Sequence, residues 1–174
     1  MTRIYVDATT LIALGTVGEL DLLATFDGTV VVLPTIREEV TTEPARTNLD
    51  RFVEREEVAT TPPDGERERA LDVLGEPEVN GDVCVVAAVL IHTEADEDVG
   101  VVSDDRRVRT VARGLGARVT GTVGVVVRSV EEGLSAHEAK SVVRRVDEHG
   151  LHMTAELREK AFELVEAADG SDTS

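Results

Sequence analysis

Five carboxylates stand where this chain could do chemistry: Asp7, Glu39, Asp82 and the adjacent pair Asp104 and Asp105. Asp7 closes the apolar stretch RIYV, and Glu39 follows VVVLP by a few residues. Asp82 opens the apolar run DVCVVAAVLI just after Asn80-Gly81, and Asp104-Asp105 end GVVS. Clusters built only of carboxylate oxygens suit hard cations such as Mg2+ or Mn2+, not zinc or copper. Such ions, singly or in pairs, activate a water and steady the leaving oxygen in phosphoryl displacement. The pair at 104–105 poses its own problem, because neighbouring carboxylates repel until an opposite charge offsets them. The arginines of DDRRVRT are one offset, and a bound cation is another. Each acid taken alone has a plainer explanation. An Asp at a helix start is commonly a cap, and a lone Glu on a helix is commonly solvated. Caps need not converge at one end of a fold, so the set is what asks for chemistry.

The elements that would position these acids alternate in type. RIYVD, TVVVL (29–33), EVATT (57–61), GVVS (100–103) and ARVTG (117–121) predict short strands. Between them lie a helical stretch over 9–26 in two pieces, broken at Gly15 and Gly18, and a helix opened by Pro34-Thr35. Thr35 and Glu38 have capping-box spacing there. Further helices are predicted over 45–56, within the polar connection 62–81, and over 82–93, 106–116 and 122–133. A different kind of segment follows. A helix from Ser135, with Glu138 completing a capping box, closes at Gly150, and an amphipathic helix spans 153–168 before a tail at 169–174. Strands alternating with helices imply an α/β fold with a parallel sheet covered on both faces. Ligands in such sheets bind beyond the carboxyl ends of the strands, near the switch point.

Composition narrows the classes. At 174 residues and 41% hydrophobic, the chain can build one core, or one core with a small appendage. Three Phe, one Tyr and no Trp leave no aromatic platform for stacking bases. No apolar run is long enough for a membrane span and the start has no signal-peptide shape, so a soluble, cytoplasmic protein is expected. The single cysteine, Cys84, excludes an internal disulfide and reads as core filler in VCVVAAVLI. His149 and His152 are separated by a glycine that breaks any helical ligand face. The formal net charge of −17 comes with 16 Arg and only two Lys, and the acids are spread along the chain. This resembles the surfaces of halophilic proteins more than a nucleic-acid mimic, which would gather its acids in one block. At molar salt the Debye length falls to about 3 Å, so such a charge would scarcely repel a polyanion.

IYVDATTLIALGTVGELDLL, VVLPTIREEV, GDVCVVAAVL and VVSDDRRVRTVARGLGARVTGTVGVV resemble, in sequence and in order, the PIN-domain ribonucleases. The likeness is strongest to small prokaryotic VapC-like members. Some is shared with the archaeal Nob-type ribosomal RNA endonuclease, in the D-x-x-V-x-A helix and the S/T-D-D step. It covers residues 3 to about 133, implying a PIN-like domain over 1–133 with a C-terminal helical pair over 134–168 as an appendage; the residues DGSDTS, 169–174, read by themselves as a disordered tail. The likeness also implies a three-layer fold around a parallel sheet of order 3-2-1-4-5, and cleavage of single-stranded RNA with Mg2+ or Mn2+, leaving a 5′-phosphate and a 3′-hydroxyl. Carried over, Asp7 and Asp82 are metal ligands, Glu39 rather than Glu38 is the acid of the E-V step, and either Asp104 or Asp105 is the fourth ligand. Thr9, Ser103 and Thr122 match hydroxyls placed near a phosphate, Thr122 at a helix start where backbone N–H groups receive anions. Cys84 departs from the pattern, since the prokaryotic branch often has a second acid there. The family also brings possible partners: an antitoxin over the site, and a second copy in a homodimer.

The arginines after the acid pair have two readings. Val108, Val111, Ala112 and Leu115 have the spacing of a buried helix stripe, which turns Arg106, Arg107, Arg109 and Arg113 outward. They are then either a solvated face balancing nearby acids or, for Arg106 and Arg107, contacts for substrate phosphate. A D-x-D phosphatase is disfavoured because Asp7-Ala8-Thr9 lacks the second acid. The rival from another class is a PIN fold kept as an RNA-holding or assembly module without catalysis.

Overall fold

The computed structural model describes residues 1–170. Its centre is a parallel sheet of β1 (Arg3–Val6), β2 (Thr29–Val31), β3 (Val99–Val102) and β4 (Arg118–Thr120), in the order β2-β1-β3-β4. The two middle strands are apolar on both faces, as strands covered on both sides must be. Beyond β2 the expected strand 57–61 contracts to one parallel bridge, Val31 to Ala59, held by Val32 N–H to Ala59 O and Ala59 N–H to Val30 O, each 2.9 Å. Pro62 and Pro63 follow at once and have no N–H to extend the ladder. Counting that bridge, the order is the expected 3-2-1-4-5. The register pairs Val6 with Val102, and Asp7 N–H donates to Val102 O at 2.9 Å, so Asp7 and Ser103 leave the sheet side by side.

Helices cover both faces: α1 (Ala8–Thr16), α2 (Pro34–Glu39), α3 (Ala45–Val53), α4 (Arg67–Leu74), α5 (Gly81–Glu94), α6 (Arg106–Gly114) and α7 (Thr122–Glu131). α1 runs through Gly15, whose missing side chain lets α3 approach: a Cβ there would lie 3.1 Å from Ala45 Cα. The break comes at Gly18, at φ +74°, before a 3-10 turn over Leu20–Thr25. The capping box expected at Thr35 and Glu38 does not form. Pro34 takes the first helical position behind Leu33, and no side chain caps α2. Ser135 does cap α8 (Ala136–Val146), accepting from Glu138 N–H at 3.1 Å. That helix ends before Gly150 and passes through a wide turn to Leu151.

α9 (Ala155–Gly170) runs two residues into the expected tail; residues 171–174 lie outside the described residues. Ala139, Val142, Val143 and Val146 of α8, with Ala161 and Val165 of α9, join the same apolar core as the sheet. A smaller cluster of Ala70 and Leu74 with Val83, Val86, Ala87 and Leu90 seats α4 on α5. Among the described residues no helix is long and apolar enough to cross a membrane.

Candidate active site

The site lies at the carboxyl ends of β1 and β3. Asp7 occupies the N-cap position of α1 but makes no capping bond. Its Oδ2 instead accepts from the Ser103 hydroxyl at 2.5 Å and from Thr9 Oγ1 at 3.2 Å, and the residue is 4% exposed. The carboxylate is thus oriented by two hydroxyls and not by the helix amides. Ser103, wholly buried, also accepts from the Asp105 amide at 3.1 Å, joining the ends of the two strands.

Asp82 does not cap α5 either. Asn80 does, accepting from Val83 N–H at 3.0 Å, and this leaves Asp82 in the first turn. The preceding amide, Gly81 N–H, is taken by Glu39 Oε1 at 2.8 Å, so the last residue of α2 holds the start of α5. Gly81 has no room for a side chain: a Cβ would lie 2.5 Å from Ile36 Cδ1 and 2.7 Å from Glu39 Oε1. The Asp82 carboxyl is pushed up from the usual carboxylate range to about 6. Burial is the largest cause, followed by the charges of Asp7, Asp105 and Glu39, with Arg107 opposing. Asp7, Asp105 and Glu39, from three separate segments, therefore all reach Asp82 with their charge.

Asp104 and Asp105 part company. Asp105 caps α6 through Oδ1, accepting from Val108 N–H at 3.0 Å, and its charge reaches Asp82. Asp104 is turned toward α7, its two oxygens accepting from Thr122 N–H at 2.9 Å and Thr122 Oγ1 at 2.5 Å. Gly121 leaves space for this, since a Cβ there would come 2.5 Å from Asp104 Oδ1 and 2.7 Å from Arg109 Nη1. The repulsion expected between the adjacent acids is thus relieved by two helix N-termini, and no cation between them is needed.

Of the residues expected near a phosphate, Thr9, Arg106 and Arg107 are exposed. Ser103 and Thr122 are buried at 0% and 1%, and their hydroxyls are spent on carboxylates. They lie beneath the acids and not at a surface a substrate could touch. Arg107 is paired with Glu76, a residue the sequence reading passed over inside a polar connection. Cys84 Sγ lies 3.6 Å from Thr35 Oγ1, between α5 and α2.

The donors fit a hard divalent cation in kind. Asp7, Glu39 and Asp105 each give one oxygen to protein donors, and the other accepts no hydrogen bond among the described residues. The carboxylates are not drawn in: among the described residues no three His, Cys, Asp or Glu side chains form a ready ligand set. Each is tethered to a different backbone segment, and like charges hold apart.

An α/β protein with a parallel sheet and an acid cluster beyond its strand ends is the class these observations define. A family model described as PIN domain matches residues 3–167, nearly the whole chain, with all of α8 and most of α9. The chain belongs to the PIN-domain family, whose members are generally nucleases. No curated protein and no solved structure matches it.

Proposed function

We propose that this chain is a divalent-metal-dependent endoribonuclease that hydrolyses single-stranded RNA. The observation that carries the reading is Asp82, part-buried and raised to about 6, first by that burial and then by the charges of Asp7, Asp105 and Glu39. Crowding of like charge at a strand-end cleft costs stability, and cation-dependent sites require it. Asp7, Asp82 and Asp105 are the proposed ligands. Asp105 is preferred to Asp104 because both Asp104 oxygens are engaged by Thr122. Bound there, Mg2+ or Mn2+ would supply an activated water and neutralise charge developing on the phosphate.

The chain's own groups do the rest. Ser103 holds the Asp7 carboxylate in one orientation by donating to it. Glu39, tethered through Oε1, offers Oε2 as a further ligand or as the acceptor that orients water. Asp104 fixes the start of α7, and through it the end of β3, where Asp105 stands. Thr9, Arg106 and Arg107 are the exposed groups within reach of a substrate phosphate. The products carry a 5′-phosphate and a 3′-hydroxyl, as the resemblance implies. In the VapC-like, toxin-type version of this reading, an antitoxin segment covers the cleft and the chain forms a homodimer.

The test is incubation of single-stranded RNA with the protein at molar KCl, with Mg2+ or Mn2+, and mapping of the new ends. Cleavage should stop with chelator and in Asp7→Asn. Cutting that survives both would overturn the proposal. The absence of a ready ligand set among the described residues favours one second reading, a weak or inactive PIN module that holds RNA. Tight RNA retention with no cleavage under either ion would establish it.

A further inference from the structure

We infer that Glu76 is a positioning residue for the carboxylate cluster: it draws the Arg107 guanidinium away from Asp82, keeping that acid available to a cation. The inference rests on the metal-dependent reading above. Arg107 stands in the first turn of α6. Its Nη1 donates to Leu74 O at 3.4 Å. Its Nη2 is shared, hydrogen-bonded and ion-paired to Glu76 Oε1 but 3.8 Å from Asp82 Oδ2, beyond hydrogen-bond distance. A guanidinium with one partner to choose would be expected on Asp82, which is part-buried and feels three other acids. Its close contact is with Glu76 instead, and Asp82 is left the longer ion pair.

The end of α4 builds this arrangement. Leu74 is buried in the apolar cluster that seats α4 on α5. Gly75 then takes φ +70°, a conformation that disfavours any residue with a Cβ. The amides of Gly75 and Glu76 bond back to the Asp72 and Leu71 carbonyls at 3.3 and 3.1 Å, the closing pattern of a helix that ends on glycine. Glu76 therefore leaves the helix at a fixed angle facing α6. Its side chain is 19% exposed against 49% for Arg107, so the acid is the anchored member of the pair. Without that anchor, the arginine would settle on Asp82 as a built-in counter-ion and compete with any cation.

The experiment measures Mn2+ binding by the full chain, at fixed molar KCl, by titration calorimetry and by the EPR signal of free Mn2+. Parent, Glu76→Gln, Arg107→Gln and the double variant are compared, with unfolding midpoints in chelator to show that each is folded. Glu76→Gln should weaken Mn2+ binding about fivefold, the scale of about 1 kcal/mol set by a half-exposed ion pair. Arg107→Gln should not weaken it, and the double variant should recover the Arg107→Gln affinity. Unchanged affinity in Glu76→Gln, or a loss that persists in the double variant, overturns the inference while leaving the metal site standing. A parent that binds no Mn2+ removes the metal-dependent reading itself, and this inference with it.

Discussion

Asp82→Asn should make the metal-free protein more stable at neutral pH and at the same time abolish cleavage. An ordinary surface Asp ionises near 3.8, and Asp82 does so at about 6 in the folded chain. At about 1.4 kcal/mol per pH unit, ionising it in place costs the fold up to about 3 kcal/mol above pH 7. Its side chain is 25% exposed, and salt screens the part due to neighbouring acids. A working figure is therefore about 1–3 kcal/mol.

The sign follows from proton counting. Because the folded value is raised, the folded state binds more protons than the unfolded chain between about pH 4 and 6. The parent therefore loses stability as pH rises through that window. Asn cannot ionise, so the variant's advantage is absent near pH 4, grows to pH 6 and is flat above about pH 7. The assay is denaturant unfolding in chelator at constant high KCl, across that range, with m-values compared. For a chain of this size the gain at neutral pH corresponds to several degrees in Tm. Added Mn2+ should stabilise the parent and not the variant, by mass action on the folded state alone. A variant destabilised at neutral pH, or an advantage that does not vanish in acid, would refute the claim that burial and its acidic neighbours make Asp82 costly to ionise.

Three further substitutions separate the roles of neighbouring residues. Gly81→Ala forces a methyl against Ile36 and Glu39, and should cost about 1–3 kcal/mol by overpacking while weakening Mn2+ binding; unfolding and calorimetry on the same sample check both. Asp104→Ala leaves the buried Thr122 amide unpaired and should cost about 1–3 kcal/mol yet preserve Mn2+ binding. Asp105→Asn keeps a good helix cap and should do the reverse, losing Mn2+ with little change in stability.

Much of the architecture was legible because its signals are redundant. The strands β1 and β3 are short, apolar apart from the exposed Arg3, and followed by helices, the combination a sheet covered on both faces calls for. Local signals did less well where two rules compete. Thr35 and Glu38 have the spacing of a capping box, but Pro34 takes the first helical turn and leaves Leu33 as the boundary. The strand 57–61 was readable as a strand but not as one bridge, although Pro62 and Pro63 were there to limit it. The acid positions followed from the strand-end rule. Their partners did not, because a hydrogen bond such as Glu39 to Gly81, 42 positions apart, leaves no periodic trace. Glu76 was missed for the same reason, although the Leu-Gly-Glu step that ends α4 is a recognisable helix stop.

The adjacent acids show how backbone geometry can separate what the sequence sets side by side. Successive side chains at the end of a strand point to opposite sides. Asp104 goes toward β4 and α7, where the Thr122 amide and hydroxyl receive it, and Asp105 goes toward the α5 side, where it caps α6 and its charge reaches Asp82. Both helix N-termini favour an anion, so each carboxylate gains a local partner. That arrangement leaves Asp105 with one oxygen uncommitted and Asp104 with none, which is why equal charge in neighbouring positions need not mean equal function. The acid whose oxygens are both bound stabilises the scaffold. The acid with one left over, its charge reaching Asp82, is the one proposed as a cation ligand.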